Sequence, residues 1–429
     1  MSEAPGFTAE GPAGGPCGGT GEHGTGFLPP ERQPVIISAL RTPICRANGL
    51  LRHLRSHELL APVLTALLTE TGVEPSDVAD VVIGNAVGGG GNVARLAALE
   101  AGLPVTVPGI TVDRQCGSGL DAIVLASRLV AAGGGGIYLA GGVESISTAP
   151  LRAHRNDDGE PAFFSRARFA PDGHGDPDMG VAAENVAAEC GISRERQDEF
   201  ALRSHRRAVA AAAAGRFVGE TVPLESAAGT VKADDGPRPK LNEALMARFP
   251  AAFVESVTVT AGNSCFDADG AAAVVITSLA RARELGAADA LLVLGTDTAG
   301  VDPRLLGIGA ADAAARLLDS CGVRAEAVDL VEFNEAFASQ TIACLDRLGM
   351  APARANADGG ALALGHAYGA SGAVLVTRLL AQARQAPEQA SSALTGPAPE
   401  RPDQGKLALA MISIAGGMGT AALFRHLRL

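Results

Sequence analysis

The sequence predicts an α/β fold made of two related halves, and three observations lead there. Short apolar runs of strand length alternate with longer stretches of helical apolar spacing. The second half of the chain repeats the plan of the first. Between the halves lies a stretch richer in charge, Pro and Gly. The first element is a buried strand at Pro34-Val35-Ile36-Ile37-Ser38-Ala39, followed by a helix over 56–71 with Ser56 as its cap. Val81-Val82-Ile83-Gly84-Asn85 reads as the next strand. An extended apolar stretch, Val105 to Val112, then runs into helical spacing from Leu120 to Val130, and 136–142 forms a further strand. This alternation implies a largely parallel sheet covered on both faces.

The repeat is visible in short segments. Residues 137–142 (Ile-Tyr-Leu-Ala-Gly-Gly) echo 412–417 (Ile-Ser-Ile-Ala-Gly-Gly), and the helix opened by Ser118-Gly119 echoes the one opened by Ser371-Gly372. Two such halves would set Cys116, before one helix, opposite His366, before its counterpart. The expected division is a disordered tail over 1–33, an N-terminal half from 34–148 with 255–280, an insertion over 149–254 and a C-terminal half over 281–429. Within the insertion one helix, Arg194 to Ala214, is clear. Residues 386–404, with Pro387, Pro397, Pro399 and Pro402, read as a surface loop.

Composition narrows the function. With 47% apolar and only 3% aromatic residues, the core must be built from Ala, Val, Leu and Ile. A net charge of −12 argues against nucleic acid or an anionic membrane surface as the main partner. No run of about 18 apolar residues suggests a membrane span, and the first residues lack the basic start and apolar stretch of a signal peptide. The seven cysteines are scattered, with no Cys-x-x-Cys and no metal-ligand spacing with His. Reduced thiols in the cytoplasm fit that pattern.

Cys116 is the residue with the clearest chemical meaning. It lies in Asp113-Arg114-Gln115-Cys116-Gly117-Ser118-Gly119-Leu120, where strand-like sequence turns into helix. A thiol beside unpaired helix N–H groups has its thiolate stabilised, so its pKa is expected to fall and the residue to act as a nucleophile. The flanking glycines permit a tight turn and close approach of a substrate. The blander reading is a buried, inert cysteine.

Further segments decide between the two. They are Val331-Glu332-Phe333-Asn334-Glu335-Ala336-Phe337-Ala338, the Gly-rich run from Asn356 to Gly372 around Gly365-His366-Ala367, and Ser413-Ile414-Ala415-Gly416-Gly417-Met418-Gly419. In this order, with the Cys116 segment, they resemble the thiolase family of CoA-dependent acyltransferases, over about residues 34 to 429. The resemblance implies a duplicated α/β core, mixed sheets and helices in layers, and an inserted loop domain that covers CoA and the acyl pocket. It implies Cys116 as the acylated nucleophile and His366 as its proton partner. Asn334 would fix a water that completes one oxyanion hole with His366, and the N–H groups of Cys116 and Gly417 would form a second. Glu335 would be a supporting residue. No cofactor is held permanently; a coenzyme A thioester enters as substrate, and the assembly is expected to be a homodimer or homotetramer.

Several positions depart from the family pattern. Ser413 stands where a second cysteine normally takes and returns the α-proton, and an ordinary hydroxyl is a poor base at neutral pH. Cys265-Phe266 replaces a Ser-Gly pair beside the pantetheine arm, which removes a hydrogen bond and sets a ring near the channel. Asp178, before Met179-Gly180, replaces a His; Ala367 replaces a Pro; Cys45 replaces a Gly. Met179, Ala261, Cys265 and Phe266 are the expected neighbours of the bound thioester. Arg238 is the candidate for its phosphates, with Arg206, Arg207 and Arg216 nearby in sequence, although most surface arginines are simply solvated.

Three readings follow. In the first, an acyl group on Cys116, drawn from an acyl-CoA or a carrier-protein thioester, forms or breaks a carbon–carbon bond in a Claisen-type reaction, decarboxylative where Ser413 provides no base. In the second the acyl group passes to an amine, alcohol or water. In the third the chain only binds thioesters, which the Cys116, His366 and Asn334 set argues against.

Overall fold

The computed structural model describes residues 28–227, 229–255, 257–385 and 405–429. The surface loop expected over 386–404 and most of the N-terminal tail lie outside them. Residues 28–33, expected to belong to that tail, are instead pinned: the Gln33 and Pro30 carbonyls accept from Leu279 and Ala280, and Arg32 Nε donates to the Ala131 carbonyl.

The main strands are β1 (Pro34–Arg41), β2 (Val78–Gly84), β3 (Gly109–Val112), β4 (Ile137–Glu144), β5 (Ala268–Ser278), β6 (Asp289–Gly300), β7 (Leu330–Phe333), β8 (Leu407–Ile414) and β9 (Met418–Arg428). Their order is β7-β8-β9-β6-β1-β5-β4-β2-β3, and a two-residue strand at Cys45–Arg46 completes a ten-stranded sheet. The duplication can be read directly from this order. In the first half β2 runs parallel to β4, β4 antiparallel to β5, and β5 antiparallel to β1. The second half repeats this as β7, β8, β9 and β6. The halves join where β1 meets β6 through Val35↔Leu292 and Ile36↔Leu291.

The sheet is therefore mixed rather than largely parallel. Strand β9 leaves β8 through a tight turn, which forces antiparallel pairing, and β5 pairs antiparallel with both β4 and β1. The pairing also corrects the reading of the sequence echo. Residues 137–142 open β4, whereas 412–417 straddle the end of β8 and the turn after it. The elements correspond, but those two segments do not.

Helices α1 (Ser56–Thr71) and α2 (Val93–Glu100) cover one face of the first half. Helix α3 (Ser118–Ala132) covers the opposite face. After α4 (Met179–Glu189) and α5 (Arg194–Ala213) in the insertion come α6 (Gly309–Ser320) and α7 (Ala338–Arg347), which cover one face of the second half. Helix α8 (Tyr368–Arg384) lies beside α3, and the pair shares a core with strands of both halves. The buried residues of that shared core are Ala, Val, Leu and Ile with one Phe and one Tyr, as the composition requires.

Two local expectations change. Ser56 is the first helical residue of α1; the cap position is Arg55, whose N–H is accepted by Glu58 at 2.7 Å. Of the stretch 105–112 only Gly109–Val112 is a strand, because Val107 closes a turn onto the Pro104 carbonyl.

The insertion is fastened to both halves by buried charge. Arg41 of β1 donates to Glu220 at 2.7 Å and to Asp234 at 2.7 Å, and Arg378 of α8 pairs with Glu220 and Asp358. Arg41, Glu220, Arg378 and Asp358 are all buried. A charge this deep is tolerable only when paired, so the set acts as a lock between three parts of the chain.

Candidate active site

The site forms where the first turns of α3 and α8 meet. A Cβ on Gly119 would lie 2.5 Å from the Gly369 carbonyl, and one on Gly372 would strike the backbone of Leu120. Only glycine allows the two helices to approach so closely. Cys116, just before α3, and His366, just before α8, are thereby held at the same end of the helix pair.

Cys116 sits on a strained turn. Gln115 before it has a left-handed φ of 48°, uncommon for a residue with a side chain. The turn is held by Ser118, whose hydroxyl accepts from the Arg114 N–H at 2.8 Å and donates to the Gln115 carbonyl at 2.6 Å. The residue is half-buried, but its sulfur lies deep within protein, and burial pushes the thiol up to about 12. Hydrogen bonds from the backbone N–H groups of Ala415 and of Cys116 itself oppose this and do not overcome it. The expected fall in pKa is thus reversed, since loss of solvation outweighs the helix end.

His366 is also buried, and burial pulls its imidazole down to about 4. At rest the pair is a thiol and a neutral imidazole. Nδ1 of His366 lies 2.6 Å from the Ser371 hydroxyl, while Nε2 is buried with no partner among the described residues. Nδ2 of Asn334 is buried and unpartnered in the same sense. The Asn334 backbone is fixed by its carbonyl, which accepts from Gln340 Nε2 at 2.9 Å and from the Ala336 N–H at 3.0 Å. Asn334 and Ser371 line a cavity of about 20 Å³, enough for one water.

Glu335 does not face this space. It accepts from Ser204 and Asn356 at 2.6 Å each and from the Leu362 N–H at 3.2 Å, the bonding of a strut.

In the C-terminal turn, the N–H directed at the Cys116 sulfur belongs to Ala415. Gly417, at φ 79°, turns the chain toward β9, and its carbonyl accepts from Val301 at 2.7 Å. Ser413 projects to the face of β8 opposite Ile412 and Ile414. Side chains alternate along β8, with Ile412 and Ile414 on the face shared with Cys116 and α3. The Ser413 hydroxyl donates to the Gly307 carbonyl at 2.6 Å and accepts from the Ala310 N–H at 3.3 Å.

Cys265 and Phe266 lie on a segment that runs directly beside His366. The Phe266 ring packs against Gly365 and Gly236 beneath the Arg46 guanidinium, 3.7 Å from the ring centre. Met179 begins α4 and is half-buried; Ala261 is exposed. Near Met179 the Phe253 ring covers Gly180 and meets the Phe337 ring edge-on at 6.0 Å. These two aromatic residues were not singled out from sequence, because isolated Phe residues carry no spacing signal. Asp178 is exposed and pairs with Arg166 at 3.3 Å.

Three of the four arginines proposed for phosphates are already engaged. Arg206 holds Glu243, Arg207 the carbonyls of Ala353, Ala355 and Asn356, and Arg216 the carboxylate of Asp358. Arg238 makes no side-chain hydrogen bond or ion pair among the described residues. It lies near Arg46 and His205, and burial followed by the charge of Arg46 holds it below its usual range.

Residues 34–280 match the thiolase N-terminal domain and 290–396 the thiolase C-terminal domain. The chain belongs to the thiolase family. This thiolase is 42% identical over 395 residues to YhfS of Bacillus subtilis (strain 168), named "Putative acetyl-CoA C-acetyltransferase", with 92% of this chain and 99% of the relative covered. It is 41% identical over 399 residues to VraB of Staphylococcus epidermidis, of the same name, with the same coverage. The crystal structure of the Bacillus anthracis acetyl-CoA acetyltransferase superposes with a TM-score of 0.81 at 32% identity, covering 92% of this thiolase and 99% of that chain. The protein is accordingly an acyltransferase of thiolase type. No described helix is long and apolar enough to cross a membrane.

Proposed function

We propose that Cys116 takes the acyl group of an acyl-CoA and that the acyl-enzyme then makes or cleaves a 3-ketoacyl thioester. The observation that supports this reading is the set of groups found at one end of the α3–α8 pair. A backbone N–H from Ala415 meets Cys116, and Nε2 of His366 and Nδ2 of Asn334 are buried at the same end of the helix pair without partners.

The proton logic follows from the neutral resting pair. In this reading Nδ1–H donates to the Ser371 hydroxyl, 2.6 Å away, so His366 keeps a lone pair on Nε2 to receive the Cys116 proton as sulfur attacks the thioester carbonyl. The charge that develops on the carbonyl oxygen is met by the N–H groups of Cys116 and Ala415. The proton on His366 then passes to the departing CoA sulfur. In the carbon-forming half, a water on Asn334 would hold the enolate oxygen.

Arg238 is the proposed phosphate contact, and Met179, Ala261, Phe253 and Phe337 the wall of the pantetheine channel. The orientation of Ser413 favours a second variant, in which a malonyl-type thioester loses CO₂ and no base is required. A carrier-protein thioester would serve the same chemistry. The edge strand β3, with Ile110 exposed beside Leu96 and Leu99, is the proposed surface for a homo-oligomer in the cytoplasm.

The test is intact-protein mass after separate exposure to acetyl-, longer acyl- and malonyl-CoA, with Cys116→Ala as control. A mass gain absent from the variant supports the acyl-enzyme and names the preferred donor. No adduct from any donor would reject CoA thioesters as substrates.

A further inference from the structure

The Ser413 hydroxyl is taken up by the Gly307 carbonyl and the Ala310 N–H, and a second pair of polar residues stands beside His366. The His366 N–H donates to the Phe266 carbonyl at 2.9 Å and the Ala268 N–H to the His366 carbonyl at 3.3 Å, so Asp267 and His366 form a parallel bridge. Bridged residues project to the same side, and alternate residues along an extended segment share a face. Asp267, Cys265 and His366 therefore look one way and Phe266 the other, in accord with the packing of Phe266 against Gly365 and Gly236.

Tyr368, the first residue of α8, completes the arrangement. Its phenol donates to Asp267 Oδ1 at 2.6 Å, and its ring stands edge-on to the His366 imidazole with centres 5.1 Å apart. Oδ2 of Asp267 accepts no hydrogen bond among the described residues, and Asp267 is solvent-exposed. The Asp267 carboxylate is close enough to raise the thiols of both Cys116 and Cys265.

We propose that Asp267 is the acid/base of the carbon-forming half-reaction, with Tyr368 as its positioning residue. This rests on the thiolase-type reading above. Oδ2 takes the α-proton of the second thioester, breaking C–H and forming O–H. The electron pair released attacks the acyl carbon on Cys116, the new C–C bond forms, and the C–S bond breaks to leave the Cys116 thiolate. Asp267 then returns its proton to that sulfur through solvent. In thiolysis the same carboxyl group delivers the proton to carbon.

Acetyl-CoA in D₂O tests the assignment, because deuterium entering the acetyl methyl reports α-proton transfer and intact mass reports acylation. Asp267→Asn is expected to slow deuterium entry by about 10² to 10⁴-fold while Cys116 still gains the acetyl mass. Asp267→Glu should restore part of the exchange. Tyr368→Phe, which keeps the ring, should slow it about tenfold, the worth of one hydrogen bond. Exchange that survives in Asp267→Asn overturns the assignment, as does a wild-type protein that acylates without exchanging. A wild-type protein that fails to acylate overturns the reading beneath it instead.

Discussion

The Ser371 hydroxyl, in the first turn of α8, lies 2.6 Å from Nδ1 of His366, and this contact leaves Nε2 as the imidazole nitrogen without a partner among the described residues. Ser371→Ala should leave the ring without its anchor and mix its tautomers. Acylation of Cys116 is expected to slow by about 10- to 100-fold, roughly one to two hydrogen bonds' worth of positioning. Single-turnover acylation followed by mass would measure it, and Ser371→Thr should retain most of the rate.

The neutral resting pair predicts an unusual pH dependence. With Cys116 pushed up to about 12, its thiolate fraction rises steadily through the neutral and mildly alkaline range. Alkylation by iodoacetamide should climb about tenfold per pH unit from pH 6 to 10, as expected below the pKa of a single titrating thiol. A plateau reached near neutrality would show a thiolate–imidazolium pair instead.

Gly119→Ala tests the close approach of α3 and α8. A methyl group 2.5 Å from the Gly369 carbonyl must force the helices apart. We expect a loss of about 1–3 kcal/mol in stability from overpacking. Acylation should fall further than stability explains, because Cys116 and His366 ride on the two helices. Thermal unfolding and acylation rates, measured on the same preparation, would separate the effects.

Glu220 holds two buried guanidinium groups, Arg41 at 2.7 Å and Arg378. Glu220→Gln removes the charge from that position and leaves both only partly compensated. A destabilisation of about 3–5 kcal/mol is expected from a broken buried ion pair. Denaturant unfolding would measure it, and a change within experimental error would contradict a locking role.

The elements that carry the candidate site were largely legible in the sequence. Cys116, Asn334 and His366 stand in segments that single them out as candidates, and the duplicated plan sets the cysteine and the histidine before matching helices. Other features were not legible. That the Ala415 N–H meets the sulfur depends on where β8 ends. Ser413 turns toward α6 because strand alternation fixes its side once Ile412 and Ile414 enter the shared core. Tyr368 and Asp267 are far apart in the chain, so only the bridge beside His366 reveals them as a pair.

The family, the α/β class and the Ala- and Val-rich core are written in local pattern and residue type, and so is the candidate nucleophile, Cys116. Tertiary structure alone decided protonation and direction. Burial, which no single segment encodes, makes Cys116 a thiol and His366 a neutral imidazole. The pleat of β8 and the contact between two glycine-lined helices then decide which groups reach the sulfur.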